Sequence, residues 1–271
     1  MRLAALLFLA VFAVNLRRAC PTAFADDSPE TVAAAATLGV THPPGDPVVT
    51  LGGALALCVP AGAPAFRLNA CSAALGGAAA VALWRLSALA PGGVPSPWAL
   101  PAAAALVLGH PLLAQQAAVA KGASYLVNLL LLAAIAAGLL ARRTTGACGL
   151  AGLLLAHHWM TLAALLPALA PAVLRGLPAR GKRARPAALA GCAFTLGASL
   201  WLALPVRASA RPFINSGGAF TAPRLAAHLA RRAFARTEMT LRTAAWPGQA
   251  AAALGALHEG LGWPGWLLAA A

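Results

Sequence analysis

Residues 146 to 174 read GACGLAGLLLAHHWMTLAALLPALAPAVL, the longest apolar run of the chain. As one straight helix this run would extend over about 43 Å, well beyond a hydrocarbon core of about 30 Å. Arginines precede it at 142 and 143, and basic residues follow it between 175 and 185. If both basic clusters are cytoplasmic, the run must cross outward and return, as two short or re-entrant helices with HHWM near the turn.

The composition of the whole chain indicates the same class of protein. Of its 271 residues, 61% are hydrophobic and 10% are charged, against roughly 25% charged in ordinary soluble domains. The net charge of +14 comes from lysines and arginines that long apolar runs interrupt, with few aromatic residues between them. This spacing argues against nucleic-acid binding and favours a role of the basic residues in membrane topology.

Apolar runs predict an all-α integral membrane protein, a multi-pass helical bundle of about 7 to 8 spans. Helices are expected because a lipid-embedded backbone must satisfy its own hydrogen bonds. We treat residues 1–271 as a single multi-pass membrane domain. The runs lie at about residues 3–16, 70–90, 98–114, 124–141, 146–174, 186–205 and 248–271.

Basic residues at the span ends give one consistent topology when Arg2 is cytoplasmic. Residues 91–97, 142–145 and 175–185 then face the cytoplasm. Arg17 and Arg18 do not fit this topology, because they follow the first span on its outer side. They could serve an anionic ligand, the first span could be misplaced, or a signal peptide could end near TAFA. The predicted outer segments are a large loop at about 17–69, residues 115–123, the HHW turn and a second segment at about 206–247.

The large outer loop holds four of the six acidic residues, Asp26, Asp27, Glu30 and Asp46. SPETVAAAATL, residues 28–38, predicts a helix with Ser28 as its cap and Pro29 at its first position. Acidic groups at a helix start complement the helix dipole, so this placement has an explanation without chemistry. THPPGDP, residues 41–47, then ends the helix in an extended turn.

Several segments together carry a family resemblance. DDSPETVAAAATLGVTHPPGDP and FRLNACSAALGG are followed in order by AVAKGASYLVNLLLL, LAHHWMTLAALLPAL, LPVRASARPFIN and LAAHLARRAF. The chain resembles a bacterial membrane family known as domain of unknown function 2723. That family is related to the eukaryotic transmembrane protein 260 type of protein O-mannosyltransferase, within the C-type glycosyltransferase superfamily.

The resemblance implies an enzyme of the bacterial inner membrane with its active face on the non-cytoplasmic side. Such an enzyme moves a hexose, mannose-like, from a polyprenyl-phosphate sugar to a protein hydroxyl or another outer-face acceptor, a protein or a glycan. Two elements depart from the family pattern: Asp46 stands where a tyrosine is usual, and INSGGAF replaces I-N-W-G-D-P. Family members also usually continue further, so a shortened chain is expected.

By the same resemblance, Asp27 is the first candidate for the general base and Glu30 the second. The reaction needs a carboxylate to accept the acceptor proton and positive charge to stabilise the leaving phosphate. His157 and His158 are about 100° apart on a helix, so at most one is expected to face a site. Arg207 and Arg211 could also snorkel to the interface, and His42 and Asn215 could simply form turns. The candidate substrate-binding residues are His42, Arg67, Lys121, His157, His158, Arg207, Arg211, Asn215 and His228.

Motifs for a resident cofactor are scarce. The five cysteines show no paired short spacing, so no metal-binding residues are predicted from them. A divalent cation near Asp26 and Asp27 stays open, because some C-type enzymes use one. Two other functions also stay open: a non-catalytic remnant or assembly subunit of such an enzyme, and a transporter of a lipid-linked or anionic substrate. Expected partners are the lipid-linked sugar, its acceptor and membrane lipid, but not nucleic acid.

Overall fold

The computed structural model describes residues 1–24, 26–89, 98–178 and 184–234, together with Gly248 and Gly255. These residues form helices and turns, with no β-strand among them beyond one isolated bridge between Val40 and Asn215. The α-helices in this part of the chain are α1 (Arg2–Arg18), α2 (Ser28–Thr37), α3 (Pro47–Ala56), α4 (Pro64–Leu86), α5 (Ala99–Gly109), α6 (Pro111–Gln116), α7 (Gly122–Leu140), α8 (Thr144–Gly176), α9 (Ala184–Ala198), α10 (Ala203–Ser209) and α11 (Ala222–Leu229).

Four helical segments of the described chain are long and apolar enough to cross a membrane. They are Pro64–Leu89, Gly122–Leu140, Thr144–Gly176 and Ala184–Ser209. These four correspond to predicted runs, so an all-helical membrane protein is confirmed. The total of 7 to 8 spans is not confirmed, since α1 and α5 are shorter, with 17 and 11 residues. The last predicted run, 248–271, lies almost entirely outside the described residues.

Helix α8 folds back on itself. Its helical geometry breaks at His158, where φ is −149° and ψ is 78°. A Cβ atom added to Gly176 would lie 2.3 Å from Thr144 Oγ1, so the two ends of α8 are side by side. The prediction that this run goes out and returns, with HHWM at the turn, is therefore confirmed.

Small residues let the hairpin formed by α8 pack closely on α9. A Cβ on Gly152 would lie 1.9 Å from the Phe194 carbonyl oxygen. A Cβ on Gly197 would lie 2.2 Å from the Gly149 carbonyl oxygen. Such close backbone approach is the usual way in which helices associate in a membrane, where the hydrophobic effect contributes little between them.

The bundle has two ends, separated by the length of α7. Helix α7 begins just after Lys121 and ends two residues before Arg142. Its 19 residues extend over about 28 Å. Predicted outer segments meet at the Lys121 end, where the Cys20 amide donates to the Ala118 carbonyl at 2.9 Å. The grouping of these segments at one end is confirmed. Which end faces the cytoplasm stays a prediction.

Candidate functional site

Asp27 precedes α2, but its side chain does not cap that helix. Asp27, not Ser28, is the N-cap residue, so the predicted helix start was wrong by one position. The Asp27 carboxylate accepts no capping hydrogen bond from α2. Ser28 instead accepts a hydrogen bond from the backbone amide of Lys121, at 3.3 Å. This bond brings the start of α7 next to Asp27.

The turn after α2 is held by Arg207, which lies 169 residues further along the chain than Leu38. Leu38 adopts the left-handed conformation that ends the helix. Arg207 donates hydrogen bonds to the Leu38 carbonyl at 2.8 Å and the Thr37 carbonyl at 3.2 Å. The chain then turns through Gly45, whose φ of 78° suits glycine, and α3 begins with Asp46 accepting from the Val49 amide at 3.2 Å.

These segments surround a polar cavity of about 530 Å³. Its walls come from the start of α2, the turn before α3, the start of α7 and the tip of the α8 hairpin. The cavity therefore lies at the end of the bundle where the predicted outer segments meet. Its lining residues are Asp27, Thr41, His42, Pro44, Gly45, Asp46, Lys121, Ser124, Tyr125, His157, His158 and Arg231.

Asp27, His42 and Lys121 form the rim of this cavity. The Asp27 carboxylate oxygen Oδ2 lies 3.3 Å from Lys121 Nζ and 3.6 Å from His42 Nε2. The side chain of Asp27 keeps 36% of its surface exposed, so its carboxylate remains accessible from the cavity. An exposed carboxylate between two cationic groups can accept a proton and hold a hydroxyl group close to a bound anion.

Glu30 lies behind the rim and holds His42 in place. Its carboxylate accepts a hydrogen bond from the His42 backbone amide at 2.8 Å and contacts His42 Nδ1. The hydroxyl of Ser216 adds a third contact at 3.3 Å. The hydrogen bond that His42 donates to Glu30 raises the pKa of His42 above its ordinary value of 6.5, although burial opposes the change. Burial would raise the pKa of Glu30, but the contacts with His42 lower it below 4.5.

Asp46, Ser124 and His157 form the floor of the cavity. Asp46 accepts from His157 Nδ1 at 2.8 Å and from the Ser124 hydroxyl at 2.5 Å. The other ring nitrogen of His157 lies 2.8 Å from the Ser124 carbonyl oxygen. With the Asp46 carboxylate ionised, both oxygen partners accept, so each ring nitrogen donates a proton and the ring is a cation. Burial would raise the pKa of Asp46, but the hydrogen bond and charge of His157 lower it overall.

His157 and His158 both line the cavity. The expectation that at most one of them would face a site was wrong, because it assumed a continuous helix. The break at His158 changes the direction of the chain between the two residues. The His158 ring contacts the Thr161 hydroxyl at 2.9 Å, inside the returning arm of the hairpin.

Several other predicted residues hold the site's supporting segments. Arg67 donates hydrogen bonds to the carbonyl groups of Leu57, Val59 and Gly62 and does not line the cavity. Arg207 holds the end of α2, as described above. Arg211 is exposed and also lies outside the cavity lining. The Asn215 side chain donates to the Ala208 carbonyl at 3.1 Å, while its backbone bridges to Val40.

His228 lies behind the cavity wall and not on it. Its surface is 3% exposed, and neither ring nitrogen has a hydrogen-bond partner among the described residues. A Cβ on Gly45 would lie 3.1 Å from its Nε2, and one on Gly217 would lie 2.9 Å from its Nδ1. Burial, with a smaller effect of the charge of His42, lowers the pKa of His228 to about 4.

The sequence alone did not identify Asp46, Ser124 or Arg231 as site residues. Asp46 directly precedes Pro47 at a helix start, a recognisable capping pattern, but the pattern does not reveal the partner of the second carboxylate oxygen. Ser124 lies in an apolar helix and Arg231 beside Arg232, so neither stands out. The contacts of Asp46 join it to Ser124 and His157, which lie 78 and 111 residues further along the chain, so no local signal marked them.

The arrangement does not fit a divalent cation without displacing its present partners. Ligand atoms of Asp27, Glu30 and His42 lie within 4.8 Å of one another. However, Lys121 contacts Asp27, and His42 already engages the Glu30 carboxylate through two nitrogen atoms. Asp26 is outside this group.

An apolar groove of about 490 Å³ lies beside the polar cavity. Val48 and Val49, two and three residues after Asp46, line the groove, as do Ala120 and Ala123 on either side of Lys121. The same stretches of α3 and the α7 start thus supply the walls of both spaces. An elongated amphiphilic molecule could place its polar end in the cavity and its apolar part in the groove.

Residues 27–92 match the family described as the protein O-mannosyl-transferase TMEM260 N-terminal domain. No curated protein and no solved structure matches the chain. The matched segment contains Asp27, Glu30, His42 and Asp46, and with them the first half of the cavity lining. The match relates this part of the chain to a family of protein O-mannosyltransferases.

Proposed function

We propose that this protein is a membrane glycosyltransferase that moves a hexose, mannose-like, from a polyprenyl-phosphate sugar to a protein hydroxyl or another outer-face acceptor. The observation that carries the proposal is the position of Asp27. Its accessible carboxylate lies on the cavity rim, 3.3 Å from the Lys121 ammonium group, within the segment that matches the O-mannosyltransferase family.

In the proposed reaction Asp27 is the general base. The acceptor hydroxyl oxygen attacks the anomeric carbon of the sugar, and its proton passes to the Asp27 carboxylate. The bond between the anomeric carbon and the phosphate oxygen breaks, and its electron pair leaves with the lipid phosphate. This single displacement inverts the configuration at the anomeric carbon.

The cationic groups of the cavity would bind the leaving phosphate. Lys121 and Arg231 both line the cavity, and an arginine guanidinium matches the geometry of phosphate oxygens. Positive charge near the departing oxygen stabilises the charge that develops there as the bond breaks. His42, held by Glu30, keeps its Nε2 directed toward Asp27 and acts as a positioning residue in this scheme.

The apolar groove supports a lipid-linked donor over a soluble nucleotide sugar. Ala123 of the groove is next in sequence to Ser124 of the cavity lining, and Val48 of the groove lies two residues after Asp46. A donor with a phosphate in the cavity would therefore have an apolar surface within reach for the first part of its hydrocarbon chain. A soluble donor would make no use of this surface.

The test is a transfer assay with the purified full chain in lipid nanodiscs and a panel of radiolabelled polyprenyl-phosphate hexoses. We expect label to move from at least one donor to a hydroxyl-bearing peptide, and Asp27→Asn to abolish the transfer. Asp26→Asn is the matched control: Asp26 is adjacent, has a φ of 68° that asparagine tolerates, and does not line the cavity. Full transfer by Asp27→Asn would remove Asp27 as the base, and no transfer from any donor by folded protein would overturn the proposed activity.

A further inference from the structure

The end of the bundle opposite the cavity carries arginines that lack acidic partners in the described structure. Four of the six acidic residues of the sequence lie between positions 26 and 46, at the cavity end. The other two, Glu238 and Glu259, lie outside the described residues. Within the described ranges, Arg142 and Arg175 form no ion pair with an acidic residue. The four described acidic side chains lie at the opposite end of the bundle, so none of them is the anionic partner of these arginines.

Two of these arginines converge on one cleft of about 440 Å³. Arg142 follows the end of α7, and Arg175 lies in the last turn of the returning arm of α8. Between them the cleft is lined by apolar side chains, among them Leu139, Leu169 and Ala172. The cleft thus combines positive charge at the end of two helices with an apolar wall that runs along the bundle.

The backbone at Arg142 adds an independent observation. Arg142 has a φ of 56°, and the amide of Arg143 donates to the Gly138 carbonyl at 2.7 Å, closing the end of α7. Glycine is the usual residue at this left-handed closing position, because any other side chain is sterically disfavoured there. Arginine at this position therefore carries a backbone cost that glycine would not, so a change to glycine removes the charge without adding backbone strain.

We propose that this cleft binds an anionic phospholipid, with the phosphate between Arg142 and Arg175 and an acyl chain along Leu139 and Leu169. The arginine fork suits phosphate oxygens, and an acyl chain suits the leucine and alanine wall. Leu140, two residues before Arg142, and Leu174, directly before Arg175, are 64% and 55% exposed, as expected of side chains that contact lipid. This site is separate from the proposed catalytic cavity and does not depend on the proposed function.

The test has two measurements on the full chain. Native mass spectrometry measures the binding of phosphatidylglycerol. Thermal unfolding in phosphatidylcholine nanodiscs that contain increasing amounts of phosphatidylglycerol measures its effect on stability. We expect added phosphatidylglycerol to raise the unfolding midpoint of the wild type. Loss of either arginine should weaken binding about fivefold, the effect of one basic residue near an anionic membrane surface. Arg142→Gly removes the charge and also relieves the left-handed backbone, so it should be at least as stable as the wild type in phosphatidylcholine alone.

Arg143→Gln is the matched control, because Arg143 is an exposed neighbour that does not line the cleft. It should keep the response to phosphatidylglycerol, while Arg142→Gly and Arg175→Gln lose it. Equal losses in all three variants would overturn the cleft in favour of general surface charge. An unchanged response in the variant without both cleft arginines would overturn the proposal. So would an equal stabilisation by inorganic phosphate, which would show an anion site without a lipid.

Discussion

The rim and the floor of the cavity contain similar groups, a carboxylate and a histidine each, in different surroundings. On the rim, Asp27 and His42 are 36% and 28% exposed, and their contact is 3.6 Å long. On the floor, Asp46 and His157 are 17% and 0% exposed, and their contact is 2.8 Å long. The comparison shows how burial divides the work: the floor groups satisfy each other and hold the structure, while the rim groups remain available to a substrate.

Asp27→Asn should produce the largest effect on the rim. Loss of a general base typically reduces the rate by about 10²- to 10⁴-fold, while an exposed amide leaves folding nearly unchanged. The measurement is the transfer rate beside the thermal unfolding midpoint. A large fall in the midpoint would show that the rim is also structural and would break the comparison.

Asp46→Asn should have its largest effect on stability. It leaves the His157 cation buried without its counter-charge, which typically costs about 3–5 kcal/mol of unfolding free energy. The double variant Asp46→Asn with His157→Gln removes both charges and should recover part of this loss. Urea or thermal unfolding of the wild type, of each single variant (Asp46→Asn and His157→Gln) and of the double variant measures the coupling. A single variant as stable as the wild type would contradict the assignment of Asp46 to a structural floor.

His228 should make the protein sensitive to acid. Its pKa of about 4 lies below the ordinary value of 6.5, so it contributes stability above pH 6.5 that is lost as the pH falls toward and below 4. The full loss is about 3–4 kcal/mol, from about 1.4 kcal/mol for each pH unit of the pKa difference. His228→Gln cannot titrate and should flatten the unfolding midpoint between pH 6.5 and 4, relative to the wild type. Parallel pH curves for the two proteins would contradict this prediction.

Glu30→Gln should weaken the support of the rim, with a smaller effect confined to a pH window. The lowered pKa of Glu30 makes its contribution present above pH 4.5 and lost as the pH falls through the folded value. The raised pKa of His42 makes its contribution present below pH 6.5 and lost as the pH rises through the folded value. The stability difference between variant and wild type should therefore be largest between pH 4.5 and 6.5, at about 1.5–3 kcal/mol at most for a charge-assisted hydrogen bond. Ser216→Ala, which removes the longer contact to Glu30, is the control and should change little.

Arg207→Gln should give the smallest effect of this series. It removes two hydrogen bonds to the end of α2, worth about 1–2 kcal/mol together, without touching the cavity lining. Transfer activity at low temperature should be nearly unchanged, and the unfolding midpoint should fall by a few degrees. A loss of activity without a loss of stability would instead make Arg207 part of the substrate site.

Much of the fold could be predicted from the sequence because local signals carried it. Arginines on both sides of the 146–174 run required a hairpin, and the structure has one with its break at His158. The turn after α2 followed from prolines and glycine in residues 41–47. The start of α2 was displaced by one residue, since aspartate and serine are both good cap residues and the pattern alone does not choose between them.

The site was predicted in part, for the same reason. Asp27, His42, Lys121, His157 and His158 were all candidates, and all line the cavity. Arg67 and His228 were also candidates, but they do not line the cavity. The sequence could not distinguish them from the lining residues, because basic side chains near span ends look alike in sequence. Their supporting roles became visible through their hydrogen bonds and burial.

The sequence by itself determined a helical membrane protein with a hairpin at HHWM and with four of its six acidic residues between positions 26 and 46. Composition, run length and charge spacing are local properties, and they are sufficient for these conclusions. The tertiary structure decided which acid would be buried and which exposed. Asp46 and His157 are 111 residues apart in sequence, and only the packing of α3 against the α7 and α8 ends brings them to 2.8 Å. Burial then separates the roles of Asp46 and Asp27, because removing water fixes one carboxylate in an ion pair and leaves the other accessible.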